Sequence, residues 1–214
     1  MNEFLLRYRF RLLLLGSVLL CLVLGWPEPP LWLKWGALLG LLLAGINTLR
    51  RKLLLRRLAL LIGLFNLALL GLGQLVALPR AMGDGLGSIA LYILLGATLF
   101  RRVTSERPVT GELVYGLCAL YLQIALAFAF AYQLVSALEP GALRGPAGPL
   151  MLDDFVYYSL ATLTTVGYGD IHAIAPAARL LAGTEAVVGV MFIALAVARC
   201  VALMQDENSS GEDV

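Results

Sequence analysis

The chain has 214 residues, of which 60% are hydrophobic and only 14% charged. A soluble domain carries roughly 25% charged residues, so composition excludes an ordinary globular fold and points to an integral membrane protein. The net charge of +2 says little, and three cysteines within apolar runs (Cys21, Cys118, Cys200) suit packing positions better than a disulfide framework or a zinc site.

A bilayer-crossing helix needs about 20 apolar residues. Six stretches qualify approximately: 10–26, 31–48, 56–78, 86–100, 110–137 and 176–204. The first follows Arg7, Arg9 and Arg11, as a signal peptide would, but ends in "LGWPEPP" without a small-x-small cleavage site. It therefore reads as a retained span. The fourth is short unless it reaches back through the glycines at 83–87 or tilts. "GDGLG" at 83–87 has no preceding strand and no P-loop lysine, which excludes a phosphate-cradling loop.

Charge placement orients the spans, because Lys and Arg favour short cytoplasmic loops. With the amino terminus inside, the inner side takes Arg7, Arg9, Arg11, Arg50, Arg51, Lys52, Arg56, Arg57, Arg101, Arg102, Arg107 and Arg199. The outer side takes only Lys34, Arg80, Arg144 and Arg179. Both termini are expected in the cytoplasm. The basic run at 50–57 suits a topology signal, with anionic lipid head groups as a further partner.

Between the fifth and sixth spans the pattern changes. "EPGALRGPAGP" (139–149) reads as an exposed outer loop. Asp153 and Asp154 then open "DDFVYYSLATLTT", where aspartates suit the positive end of a helix. A helix from Asp153 to Thr164 would be about 18 Å long, too short to span. It is expected to enter from outside and stop midway. Irregular backbone at that depth is tolerated only when buried in protein or lining water, so the residues that follow should line a pore.

Those residues are "TTVGYGD" (164–170). The string, behind a half-helix and between two spans, resembles the selectivity filter of the potassium-channel family. The resemblance implies an all-α membrane protein with six transmembrane helices, a re-entrant pore helix and a tetrameric pore. It implies potassium coordination by backbone carbonyls of Thr165, Val166, Gly167 and Tyr168, with the Thr165 hydroxyl at the inner end. Gly167 and Gly169 can take positive φ without steric cost. Val166 and Tyr168 would turn away from the pore and pack against the half-helix, with Tyr157, Tyr158 and Ser159 as the supporting cuff. Thr164 precedes the carbonyl run and Asp170 adds charge at the mouth. The carboxyl end of the half-helix carries partial negative charge toward the membrane centre, where it would favour a cation.

One copy of the motif per chain, where four are needed, implies a homotetramer. At motif level the resemblance covers about 155–200. In the last span, Gly189 stands where family members often have a hinge glycine, and Val190, Ile193, Val197 and Val201 would face an apolar cavity. The implied domains are a four-span membrane domain (1–108), a pore domain (109–205) and a disordered acidic tail (206–214).

Two departures qualify the resemblance, and two further residues stand out. Some bacterial relatives have a glutamate behind the filter, and here that position is Ala161. The fourth span lacks the regularly spaced Arg or Lys of a voltage sensor. Glu185 is the only acid within the apolar length of a span, at filter or half-helix depth, where it could bond behind the filter or sit neutral near the outer interface. The only histidine, His172, follows the filter, as a plain loop residue or an external proton sensor. With no histidine inside a span, a serine–histidine enzyme is excluded. The expected function is passive potassium conduction across a plasma (inner) membrane, with no cofactor, nucleic acid or small-molecule substrate. The alternatives are a silent or regulatory subunit that joins other channel subunits, and a subunit of a potassium transporter.

Overall fold

The computed structural model describes residues 8–26, 29–48, 88–97, 99–100, 112–146 and 148–211, with isolated positions between 57 and 65. In chain order the elements are α1 (Arg9–Leu24), α2 (Leu31–Thr48), α3 (Ser88–Ala97), α4 (Glu112–Leu138), β1 (Leu143–Arg144), α5 (Leu152–Leu163), β2 (His172–Ala173) and α6 (Pro176–Gly211). The described chain is mostly helical. Helices stand at five of the six expected stretches, and most of the sixth, 56–78, lies outside the described residues.

Length separates these helices. Among the described residues, Val114–Leu138 within α4 and Pro176–Val201 within α6 are long and apolar enough to cross a membrane. The apolar lengths of α2 and α3 are shorter. The expected disordered tail also changes: α6 continues to Gly211. Met204, Gln205 and Glu207 are good helix formers, and once a long helix exists each added residue gains a hydrogen bond without a new nucleus.

Packing joins the amino-terminal helices to the later ones. α1 lies against α2 and α4 and touches α5; α4 packs on α5 and α6; α5 packs on α6. One continuous apolar cluster runs from Phe10, Leu13 and Leu20 through Leu41, Tyr92 and Leu120 to Phe155, Tyr158 and Phe192. At the start of α4, Arg11 pairs with Glu112 and lies 4.8 Å from the Tyr115 ring centroid. Phe10 packs on Gly116, where a methyl group would stand 3.2 Å from its ring.

β1 and β2 form a two-stranded antiparallel ladder, with Leu143 opposite Ala173 and Arg144 opposite His172. Ala142 O accepts the amides of Ile174 (2.8 Å) and Ala175 (3.1 Å), which extends the ladder to the start of α6. The loop after α4 is thereby fastened to the segment that follows Asp170.

Candidate ion-conduction site

α5 begins one residue before the expected Asp153. Met151 is its cap, and Asp154 reaches back to accept the Met151 amide at 2.8 Å. Asp153 and Asp154 stand in the first turn, beside the positive end of the helix dipole. Twelve residues make the helix about 18 Å long, so it ends well short of a bilayer's width.

The last four carbonyls of a helix have no partner within it. In α5 all four find one. Leu160 O accepts the Thr164 amide (3.1 Å) and hydroxyl (2.6 Å). Ala161 O accepts two amides in succession, Val166 (2.9 Å) and Gly167 (3.1 Å). Thr162 O accepts the Thr165 amide at 3.0 Å, and Leu163 O accepts the Tyr121 hydroxyl of α4 at 3.0 Å. The helix end is thus an anchor for the following turn, as well as a source of partial negative charge. Removing the Tyr121 hydroxyl leaves Leu163 O without that donor at a cost of about 1–3 kcal/mol. Tyr121→Phe is expected to lower the unfolding temperature of the detergent-solubilised protein.

The backbone beyond the helix alternates in hand. Thr165, Gly167 and Gly169 have φ of 60°, 54° and 82°, with Val166 and Tyr168 between them outside the positive region. Such alternation sets successive amides on one side of the ribbon and successive carbonyls on the other. The amides of Val166 and Gly167 both turn to Ala161, so their side of the ribbon faces α5. Glycine takes positive φ freely, whereas a β-branched threonine there is strained, and strain of this kind collects at functional sites.

The supporting side chains divide between two faces of α5. Tyr157 stacks on Tyr168, with centroids 6.0 Å apart and planes 9° apart, and donates its hydroxyl to Asp170 at 2.9 Å. Tyr158 is buried on the other face, edge-on to Tyr132 of α4 at 4.9 Å. Within the chain Val166 is 54% exposed and Tyr168 is 71% exposed. His172 is exposed on β2 opposite Arg144.

Position 161 is alanine, and the carboxyl behind α5 comes from α6 instead. Glu185 is fully buried; its Oε2 accepts the Tyr132 hydroxyl at 2.6 Å and its Oε1 contacts Ser159 Oγ. One turn further along α6, Gly189 lies against the end of α5. A methyl group at Gly189 would stand 2.1 Å from Leu163 O, so glycine here permits a close helix approach. Val190, Ile193, Val197 and Val201 are exposed along α6. Tyr121 and Tyr132, which anchor α5 from outside, were not among the expected residues. Their sequence signal is a tyrosine inside a spanning helix, whose hydroxyl must find a partner.

Residues 118–206 match the ion-channel family. The match begins within α4 and takes in β1, α5, the 164–170 turn, β2 and most of α6. No curated protein and no solved structure matches the chain. The ion-channel match and the two long apolar helices assign this part of the chain to ion transport in a membrane, which is not an enzymatic role.

Proposed function

We propose that the chain is a potassium-channel subunit, with four copies forming one pore around the carbonyls of Thr165, Val166, Gly167 and Tyr168. The observation that carries this reading is the alternating backbone of residues 165–169, whose amides at Val166 and Gly167 are fixed to Ala161 O. Its free carbonyl side is of the kind that replaces the water of a permeating ion. Selection follows because such a ring serves an ion that sheds its water at that spacing.

The exposed surfaces support assembly. Only 17% of the α6 span is buried within the chain, against 50% of the α4 span. Val190, Ile193 and Val197 share one face of α6, suited to an apolar cavity, and the uncovered sides of Val166 and Tyr168 suit an adjacent copy. In this reading the membrane is the plasma membrane, both termini are cytoplasmic, and the 139–150 loop and Asp170 lie outside. The two candidate spans and the half-helix belong to the pore, and the earlier helices to a peripheral membrane domain.

The test is the reversal potential of the purified protein in planar bilayers, with potassium on one side and sodium on the other. Reversal near the potassium equilibrium potential supports the reading. A current that does not separate the two ions overturns it.

A further inference from the structure

Glu185 is an acid on a spanning helix, with no solvent exposure, in a position that ion coordination does not use. A charge or an unpaired polar group is costly at such depth. Glu185 is not unpaired. Both carboxyl oxygens are engaged, one by Tyr132 of α4 and one by Ser159 of α5. Ser159 Oγ also lies 2.7 Å from Ala125 O of α4. A single carboxyl therefore joins three helices at one level.

That level is set by the support of the filter. Ser159 precedes by two residues the Ala161 carbonyl that holds the Val166 and Gly167 amides. Gly189, one turn beyond Glu185 on α6, meets Leu163 O at the end of the same half-helix. The inner helix is thus fixed to α5 at two successive points, one polar and one steric. An apolar contact alone would leave α6 freer to turn about its own axis, because most of its surface near Glu185 is apolar. A fully matched polar group admits one orientation only.

We propose that Glu185 is a positioning residue: through Ser159 and Tyr132 it fixes the rotation of α6 against α5, and so transmits any movement of the inner helix to the filter. This rests on the channel reading above. The bridge works as a hydrogen-bonded link, so an amide, which keeps an acceptor and supplies a donor, can replace the carboxyl.

The experiment is single-channel recording of the reconstituted full chain, with the potassium/sodium reversal potential measured in the same bilayers. Glu185→Leu is expected to change open probability about tenfold, the effect of losing one or two buried hydrogen bonds. Glu185→Gln is expected to retain wild-type gating. Tyr132→Phe should shift gating in the direction of Glu185→Leu, and the double variant should equal Glu185→Leu alone, because both act through one link. Wild-type gating in Glu185→Leu, equal damage from Gln and Leu, or additive effects of the two single changes would each overturn the proposal. If Glu185→Leu does not assemble, Tyr132→Phe, which removes one hydroxyl and keeps the ring, carries the test by itself. A wild-type protein that passes sodium as freely as potassium would remove the channel reading, and this inference with it. A potassium-selective wild type with insensitive variants would overturn this inference alone.

Discussion

Gly189→Ala is expected to disrupt the site, while Gly183→Ala, six residues earlier on the same helix, is expected to be tolerated. At Gly189 the added methyl group would stand 2.1 Å from Leu163 O and 3.0 Å from the carbonyl carbon. Both are backbone atoms, so no rotamer change can relieve the contact, and α6 or the end of α5 must move. Overpacking costs about 1–3 kcal/mol, and a clash with fixed backbone belongs at the upper end. The displaced carbonyl is the one that Tyr121 holds, two residues past the Ala161 carbonyl that supports the 166–167 amides. At Gly183 a methyl group meets nothing within 4 Å in the chain, and alanine stabilises a helix interior by roughly 0.5–1 kcal/mol. Thermal unfolding and current amplitude of the two variants, measured side by side, check this. Equal behaviour would mean that the helices do not approach as closely as described. A flexible hinge at Gly189, by contrast, would tolerate alanine with slower opening and an undisturbed filter.

Gly167→Ala is the second large effect. Here too a methyl group meets no atom of its own chain within 4 Å, so crowding within the subunit is not the cause. The penalty lies in φ of 54°, which costs an L-residue roughly 1–2 kcal/mol. In the proposed ring of four copies the strain would count four times, about 4–8 kcal/mol, comparable to the stability of a whole domain. The chain is expected to relax by turning the 167 peptide, which swings a carbonyl off the axis. The measurement is the potassium/sodium reversal potential and conductance of Gly167→Ala beside wild type. Loss of selectivity or of current is the expected result, and wild-type selectivity would exclude a carbonyl role for this position.

The half-helix was legible in the sequence because acids, a short apolar length and a glycine pair mark its two ends independently. Its observed limits, Leu152 and Leu163, lie one residue from those read from Asp153 and Thr164. The alternation at 165–169 was legible at the glycines and not at Thr165, since a β-branched residue does not advertise positive φ. Gly189 shows the opposite difficulty. Glycine marks both flexible and crowded backbone, and only the neighbouring carbonyl decides between them. The partners of Glu185 were hidden for another reason: Tyr132 and Ser159 are 53 and 26 residues away, on other helices. Periodicity within one helix does not say which other helix its polar residues will meet. A ladder of two residues per strand has no pattern to read at all.

That ladder bears on the order in which the molecule is put together. Leu143 and Ala173 are neighbours, so the 29 residues between them, which contain the half-helix and the 164–170 turn, form a loop closed within a single chain. Closing such a loop has a modest entropic cost that grows only slowly with its length. Its internal bonds, from Asp154 at the entrance to Ala161 O at the turn, are likewise made inside one subunit. The loop can therefore mature in each copy before copies meet. What would remain for the proposed association is to cover Val166 and the outer face of Tyr168, so that assembly would seal a structure already cast rather than create it.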